Sequence, residues 1–298
     1  MRIARFWIAM GAAVAVLSGC GGGSGGDGSD GSGDGTTSTT ATGSSSTTAT
    51  ASTTSAAQWV PAQSDTWQWQ LSGTIDTAYA VQVYDIDLFD APQSTIASLQ
   101  AQGRKVVCYF SAGSAENWRP DYAKFLASDL GNALSGWTGE RWVDTRSTNV
   151  RNIMAARLDL AVSKGCNGVE PDNVDGYTNN PGFPLTSSTQ ADFNQFIANA
   201  AHTRGLAVAL KNDIEQIDTL GASFDFAINE QCHEMGECSA YNAFLASGKA
   251  VFNAEYASAY VQNTGGARDS LCQTARAAHM RTLVLPLALD DSFRFSCD

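Results

Sequence analysis

The sequence predicts an α/β fold of the (β/α)8, TIM-type barrel class, a single domain behind a disordered linker. Apolar runs of strand length alternate with helix-period segments that end in glycine, which is the pattern of a parallel sheet covered on its outer face. Residues 58–298 also match the usual length of one such barrel, about 250 residues. Acidic and amide side chains gather at the C-terminal ends of the apolar runs, with no comparable set at their starts. In a parallel barrel those ends share one rim, where sites form.

The first 57 residues stand apart from this pattern. Residues 1–20, MRIARFWIAMGAAVAVLSGC, set Arg2 and Arg5 ahead of an apolar run from Phe6 to Leu17, the layout of a secretory signal peptide. That run falls short of the roughly 18 residues a membrane-spanning helix needs. The closing LSGC resembles the lipobox of bacterial lipoproteins. The resemblance implies a lipidated Cys20 as mature N-terminus and, with Gly21 rather than Asp next, an outer-membrane or cell-surface address; a plain cleaved signal is the alternative. Residues 21–57 hold no large apolar side chain and are expected to be a disordered linker with a reach of about 35 Å.

Nine candidate strands follow in order: WQWQL (67–71), AVQVYDID (80–87), KVVCYFSAG (105–113), RWVDT (141–145), GVEPD (168–172), LAVALKN (206–212), FAINE (226–230), AVFNAEY (250–256) and TLVLPLAL (282–289). Eight suffice for a closed barrel, so RWVDT or a terminal run is expected to lie outside it. Helical periodicity is clearest over 149–165, where Val150, Ile153, Met154, Ala156, Leu158, Ala161 and Val162 approximate one apolar face and Gly165 ends it. Segments 94–103 and 189–205 are likewise closed by Gly103 and Gly205.

Of 18 Lys+Arg and 30 Asp+Glu, only Arg2, Arg5, Asp27, Asp30 and Asp34 precede residue 58, which leaves 16 against 27, or −11, on the domain. Nucleic acid is a poor partner for that charge, and a cationic polymer a good one; solubility alone is the plainer explanation. Setting Cys20 aside leaves six cysteines, an even number suited to disulfides in an exported chain. Sequence alone allows 15 pairings. Cys232 with Cys238 and Cys272 with Cys297 close the short loops, and Cys108 with Cys166 then remains. With no CxxC spacing and three histidines, zinc has little support, and no cofactor is expected.

GVEPDNVDGY crowds Glu170, Asp172 and Asp175 into ten residues at the end of an apolar run. Glu170 and Asp172, two apart, share one strand face, and like charges converging there split their pKa values. Glu230 arrives from another strand end, which completes a carboxylate pair suited to glycoside hydrolysis. Oxygen ligation of a hard cation by Glu170, Asp172 and Asp175 is the rival use. Asp85, Asp87, Ser111, Asp144, Lys211, Asn212 and Glu255 also sit at strand ends. Taken singly, Asp87 and Asn212 suit helix caps, Asp144 a turn and Lys211 a snorkelling side chain. Trp67, Tyr84, Tyr109, Trp118, Tyr177 and Tyr256 are candidates for sugar platforms or for core packing.

Taken in order and spacing, WQWQL, VYDIDLFD, VVCYFSAGSAENWRP, GERWVD, IMAARLDLAVSKGCNGVEPDNVDGY, GFPLT, LKND, NEQC and GKAVFNAEY resemble the catalytic domain of glycoside hydrolase family 114, whose members include endo-α-1,4-polygalactosaminidases. The resemblance spans residues 59–298. It implies a (β/α)8 barrel that cleaves α-1,4-linked galactosamine polymer internally with retention, Asp172 and Glu230 being the matching catalytic acids; the chain is expected to be a monomer. Substrate contacts are then expected from Asp85, Asp87, Tyr109, Ser111, Glu170, Asn173, Asp175, Tyr177, Lys211, Asn229 and Glu255. A surface lipoprotein that binds amino-sugar polymer without cleaving it is the competing class.

Overall fold

Strands β1 (Trp67–Gln70) and β2 (Val83–Asp87) pair in parallel and open the sheet, joined by a loop without a helix. The computed structural model describes residues 58–298, so the expected signal segment, Cys20 and the 21–57 linker lie outside the described residues. Helix α1 (Gln93–Ala101) leads into β3 (Lys105–Ser111). The chain then leaves the main sheet to build a second, antiparallel one from β4 (Ser114–Glu116), β5 (Leu130–Ala133) and β6 (Glu140–Val143), in the order β4-β6-β5. It returns through α2 (Thr148–Lys164), β7 (Gly168–Asp172), α3 (Ser187–Thr203) and β8 (Ala207–Lys211). Then come α4 (Ile217–Leu220), β9 (Phe226–Glu230), α5 (Cys232–Met235), α6 (Asn242–Ala246) and β10 (Val251–Glu255). Helices α7 (Ser258–Val261) and α8 (Ala267–Ala277) precede β11 (Arg281–Val284) and β12 (Phe295–Ser296).

The main sheet runs β1-β2-β3-β7-β8-β9-β10-β11-β12, parallel up to β11, with β12 added antiparallel at the edge. Eight parallel strands in chain order are the barrel the sequence predicts. RWVDT, whose first three residues fall in β6, is the run outside it.

Alternation divides the core. Inward side chains Trp67, Trp69, Val83, Val107, Ala209, Phe226, Ile228, Phe252 and Leu283 form one cluster drawn from first strand to last, so the sheet curls round on itself. Trp67 stacks on Phe252 with centroids 4.9 Å apart, and its indole N–H donates to the Arg281 carbonyl at 3.0 Å. Outward residues such as Val106, Cys108, Val169, Val208 and Leu210 pack under the helices with Ile153, Leu158, Phe193 and Ile197. Each such apolar side chain contributes about 1.5–3 kcal/mol when fully buried. Trp67 and Tyr84 are core residues, both 0% exposed.

Helix α2 starts at Ser147, whose hydroxyl caps Val150 N–H, and stops at Gly165 in the left-handed region (φ 88°). Its buried face departs from the sequence expectation, since Ala156 and Val162 are exposed and Arg157 is buried. The reason is a polar anchor: Arg157 donates to Asp121 at 2.9 and 3.0 Å and to the Ser111 carbonyl at 2.6 Å. Disulfides join Cys108 to Cys166, Cys232 to Cys238 and Cys272 to Cys297. At the other end of the chain, the Gln58 amide donates to the Leu206 carbonyl at 2.8 Å and to Asp225 at 3.2 Å, just ahead of β8 and β9.

Candidate active site

Three barrel strands end in the same local sequence logic, an inward charged residue followed by an amide in the left-handed region. Asp172 is followed by Asn173 (φ 59°), Lys211 by Asn212 (φ 48°) and Glu230 by Gln231 (φ 63°). Amide side chains tolerate that backbone better than most, so each strand turns sharply outward. The charged group is left at the rim of a cleft of about 770 Å³.

Lys211 is the centre of the site. Its ammonium, 2% exposed, lies 2.5 Å from Glu170 Oε1, 3.6 Å from Asp172 Oδ1 and 3.4 Å from Glu230 Oε2. Burial alone would push its pKa down, but Asp172, Glu170 and Glu230 outweigh burial and hold it charged. With both oxygens this close to one nitrogen, the carboxyls of Asp172 and Glu230 lie no more than about 7 Å apart. Each is also fixed by a tyrosine: Tyr109 donates to Asp172 Oδ2 at 3.0 Å and Tyr256 to Glu230 Oε1 at 2.5 Å.

Beneath them is a buried layer. Glu170 accepts from Trp69 Nε1 at 3.1 Å as well as from Lys211, and burial pushes its pKa up against the pull of the lysine. Asp85, 1% exposed, has no N–H or O–H donor on either oxygen. Burial and the neighbouring Glu170 carboxylate raise its pKa well above the ordinary range, which favours its protonated form.

The antiparallel sheet contributes residues that strand-end reasoning missed. Glu116, Arg119 and Glu140 line the cleft, with Trp118 and Trp137 at its mouth, 52% and 44% exposed. Arg119 holds Glu116 through two bonds of 2.8 Å and also bonds Asp87 and Asp90. Seven carboxylates line the cleft (Asp87, Asp90, Glu116, Glu140, Asp172, Asp175 and Glu230) against two cations, Arg119 and Lys211.

Most of the sequence-predicted set converges here. Asp87, Tyr109, Asn173 and Asp175 line the cleft, and Asp87 also caps the next turn by accepting from Phe89 and Asp90 N–H at 2.8 Å. Ser111 is buried behind Asn173, which donates to its hydroxyl at 2.9 Å. Tyr177 stands outside the lining, its hydroxyl on Glu215 at 3.3 Å. Asn229 and Glu255 point to the outer face. Glu255 accepts from His233 and Glu234 N–H at 2.8 and 3.3 Å, and Asn229 accepts from Cys232 N–H at 3.0 Å, so together they hold the start of α5. Adjacent strand residues point opposite ways, so Asn229 cannot share a face with Glu230. Asp144 pairs with Arg146 at 2.8 Å in a turn. Among the described residues, the cluster Cys232, His233 and Cys238 has metal-like spacing, but its two cysteines form a disulfide and offer no thiolate. No helix of the described residues is long and apolar enough to cross a membrane.

The family model for glycoside-hydrolase family GH114 matches residues 48–298. The crystal structure of Aspergillus fumigatus Ega3 in complex with galactosamine is 43% identical, with a TM-score of 0.76 over 81% of this chain and 98% of that one. The glycoside hydrolase domain of PelA from Pseudomonas aeruginosa, 14% identical, shares the fold with a TM-score of 0.60 over 76% of this chain and 96% of that one. An uncharacterized protein of Deinococcus radiodurans is 27% identical over 213 residues, 64% of this chain and 67% of that protein.

Proposed function

The chain belongs to glycoside-hydrolase family GH114, and from that premise we propose that it cleaves α-1,4-linked galactosamine-containing polysaccharide internally, by a retaining double displacement. It is a glycosidase, and its 43% identity to Ega3, solved with galactosamine, supports the choice of sugar. One observation carries the mechanism: two carboxylates from different strand ends, bridged by Lys211, face an open cleft. Their separation, bounded at about 7 Å, accommodates the roughly 5–5.5 Å of retaining enzymes and most of it falls below the roughly 6.5–9.5 Å of inverting ones.

In this reading Asp172 attacks the anomeric carbon as the glycosidic bond breaks, and Glu230 gives its proton to the departing oxygen. Glu230 then takes a proton from water, whose oxygen displaces Asp172 and releases the sugar with its configuration kept. Tyr109 and Tyr256 hold the two groups in line. The excess of carboxylates draws a polycation into the cleft, and Trp118 and Trp137 offer apolar faces to successive sugars.

Asp172→Asn and Glu230→Gln should each fold normally, bind galactosaminan and lose several orders of magnitude in kcat, because each removes a group acting at the transition state. Reducing-end release is the assay. Activity above about a tenth of wild type in both, a loss under about 1.4 kcal/mol, would sink the assignment. Binding of the polymer by the wild type without new reducing ends would favour a non-catalytic lectin-like role instead. We also propose that the domain works as a monomer at the cell envelope, held by lipid on Cys20. Cys20→Ser should then move it from the membrane to the soluble fraction.

A further inference from the structure

The acids of the cleft differ in how they are balanced, even between the paired strands β4 and β6, where Glu116 stands opposite Glu140. Arg119 answers Asp87, Asp90 and Glu116. Glu140, at the start of β6, is 5% exposed and has no salt bridge among the described residues. Its Oε1 accepts from the Ser114 hydroxyl and from Asn173 Nδ2 at 3.4 Å, while Oε2 has no hydrogen-bond partner among the described residues. Asn173 Nδ2 also lies 3.4 Å from Asp172 Oδ2, so one amide spans Glu140 and the carboxylate assigned to attack. Burial pushes the Glu140 pKa up to about 8. The Ser114 hydrogen bond and Arg119 pull it down, and Glu116 and Asp172 add to the rise.

A buried carboxyl with one oxygen free toward a cleft, set among other acids, is a site completed by a cation. We propose that Glu140 receives the ammonium group of the sugar seated beside Asp172 and thereby selects deacetylated galactosamine units. This rests on the reading that the enzyme cleaves galactosamine polymer. An acetamido group in the same place would set a neutral, bulkier substituent against the carboxyl and form no charge-assisted hydrogen bond with it.

Glu140→Gln tests this with little risk to folding, because burial already favours the neutral carboxyl that glutamine imitates. The ratio of kcat/KM for deacetylated over N-acetylated oligogalactosamine should fall about 10- to 100-fold, the span of one charge-assisted hydrogen bond. Glu140→Asp, which keeps the charge, should recover part of that ratio. An unchanged ratio overturns the proposal.

A second measurement does not need turnover. Binding of galactosamine at pH 7, followed calorimetrically in buffers of different ionisation enthalpy, should release up to about one more proton from wild type than from Glu140→Gln, since an ammonium partner drives the carboxyl to ionise. Equal proton release, or no galactosamine binding, overturns the assignment of Glu140. Wild type that binds galactosamine with the extra proton release, yet cleaves neither polymer, supports Glu140 and defeats only the hydrolase reading.

Discussion

At the residue scale, the site depends on how three carboxyls, one buried and two at the rim, share one lysine. Lys211 answers Glu170 directly and the two rim acids at longer range, which leaves Asp85 favouring its neutral form. Asp85→Asn therefore replaces a protonated acid by an uncharged isostere and should change stability by less than about 1 kcal/mol. Lys211→Met strands Glu170 in a buried layer, and breaking such a pair costs about 3–5 kcal/mol. That loss should be full at pH 8 and smaller at pH 5, because Glu170, already pushed up by burial, takes a proton there. Urea unfolding of both variants at the two pH values is the check; an equal loss for Lys211→Met at pH 5 and pH 8 would mean that the Glu170 charge is not what Lys211 compensates.

At the scale of elements, the joint between the barrel and its inserted sheet is made at Gly113. Its N–H donates to the Asp172 carbonyl at 3.0 Å, and its own carbonyl accepts from Val143 N–H at 3.0 Å. A Cβ there would stand 1.7 Å from the Asn173 carbonyl oxygen, so Gly113→Ala must push aside the turn that follows Asp172 at the end of β7. We expect a loss of about 1–3 kcal/mol and a fall in kcat of about 100-fold, the cost of a misplacement near 1 Å. Thermal unfolding and reducing-end assays would show both, and an unchanged kcat would place the joint outside catalysis. The barrel strands were legible because each is a short apolar run, and Asp172, Lys211 and Glu230 because they end such runs on the inward phase. The same count of strand-end polar residues drew in Asn229 and Glu255, which a check of phase against Glu230 and Phe252 would have set outside. Glu116, Arg119, Glu140 and Trp137 were not legible. They lie between Ser114 and Val143, where no period repeats and the pairing of β4, β5 and β6 is long-range, so nothing local in the sequence marks which side chains return to the cleft.

Over the whole molecule, the buried acids give stability a slope with pH. Burial pushes Glu140 and Asp213 up to about 8 and Glu255 up to about 7, with Asp175 and Glu215 adding to the rise at Asp213. Unfolded carboxyls titrate near 4, so between about pH 4 and pH 8 the folded state holds protons that the unfolded chain has lost. Stability therefore falls as pH rises through that window. His233, pushed down by burial, acts in the opposite sense, but only below its ordinary value of about 6.5. Thermal unfolding at constant ionic strength should give a higher Tm at pH 5 than at pH 8, each kcal/mol being worth roughly 2–4 °C in a domain of this size; a flat or rising profile would contradict the protonation states assigned here. The hydrogen bonds of Gln58 beside the beginnings of β8 and β9 place that residue at the N-terminal ends of the strands, a full strand length from Lys211 and Glu230 at the C-terminal ends. Substrate therefore enters the barrel from the end opposite Gln58, so a probe attached at that residue leaves the cleft unobstructed.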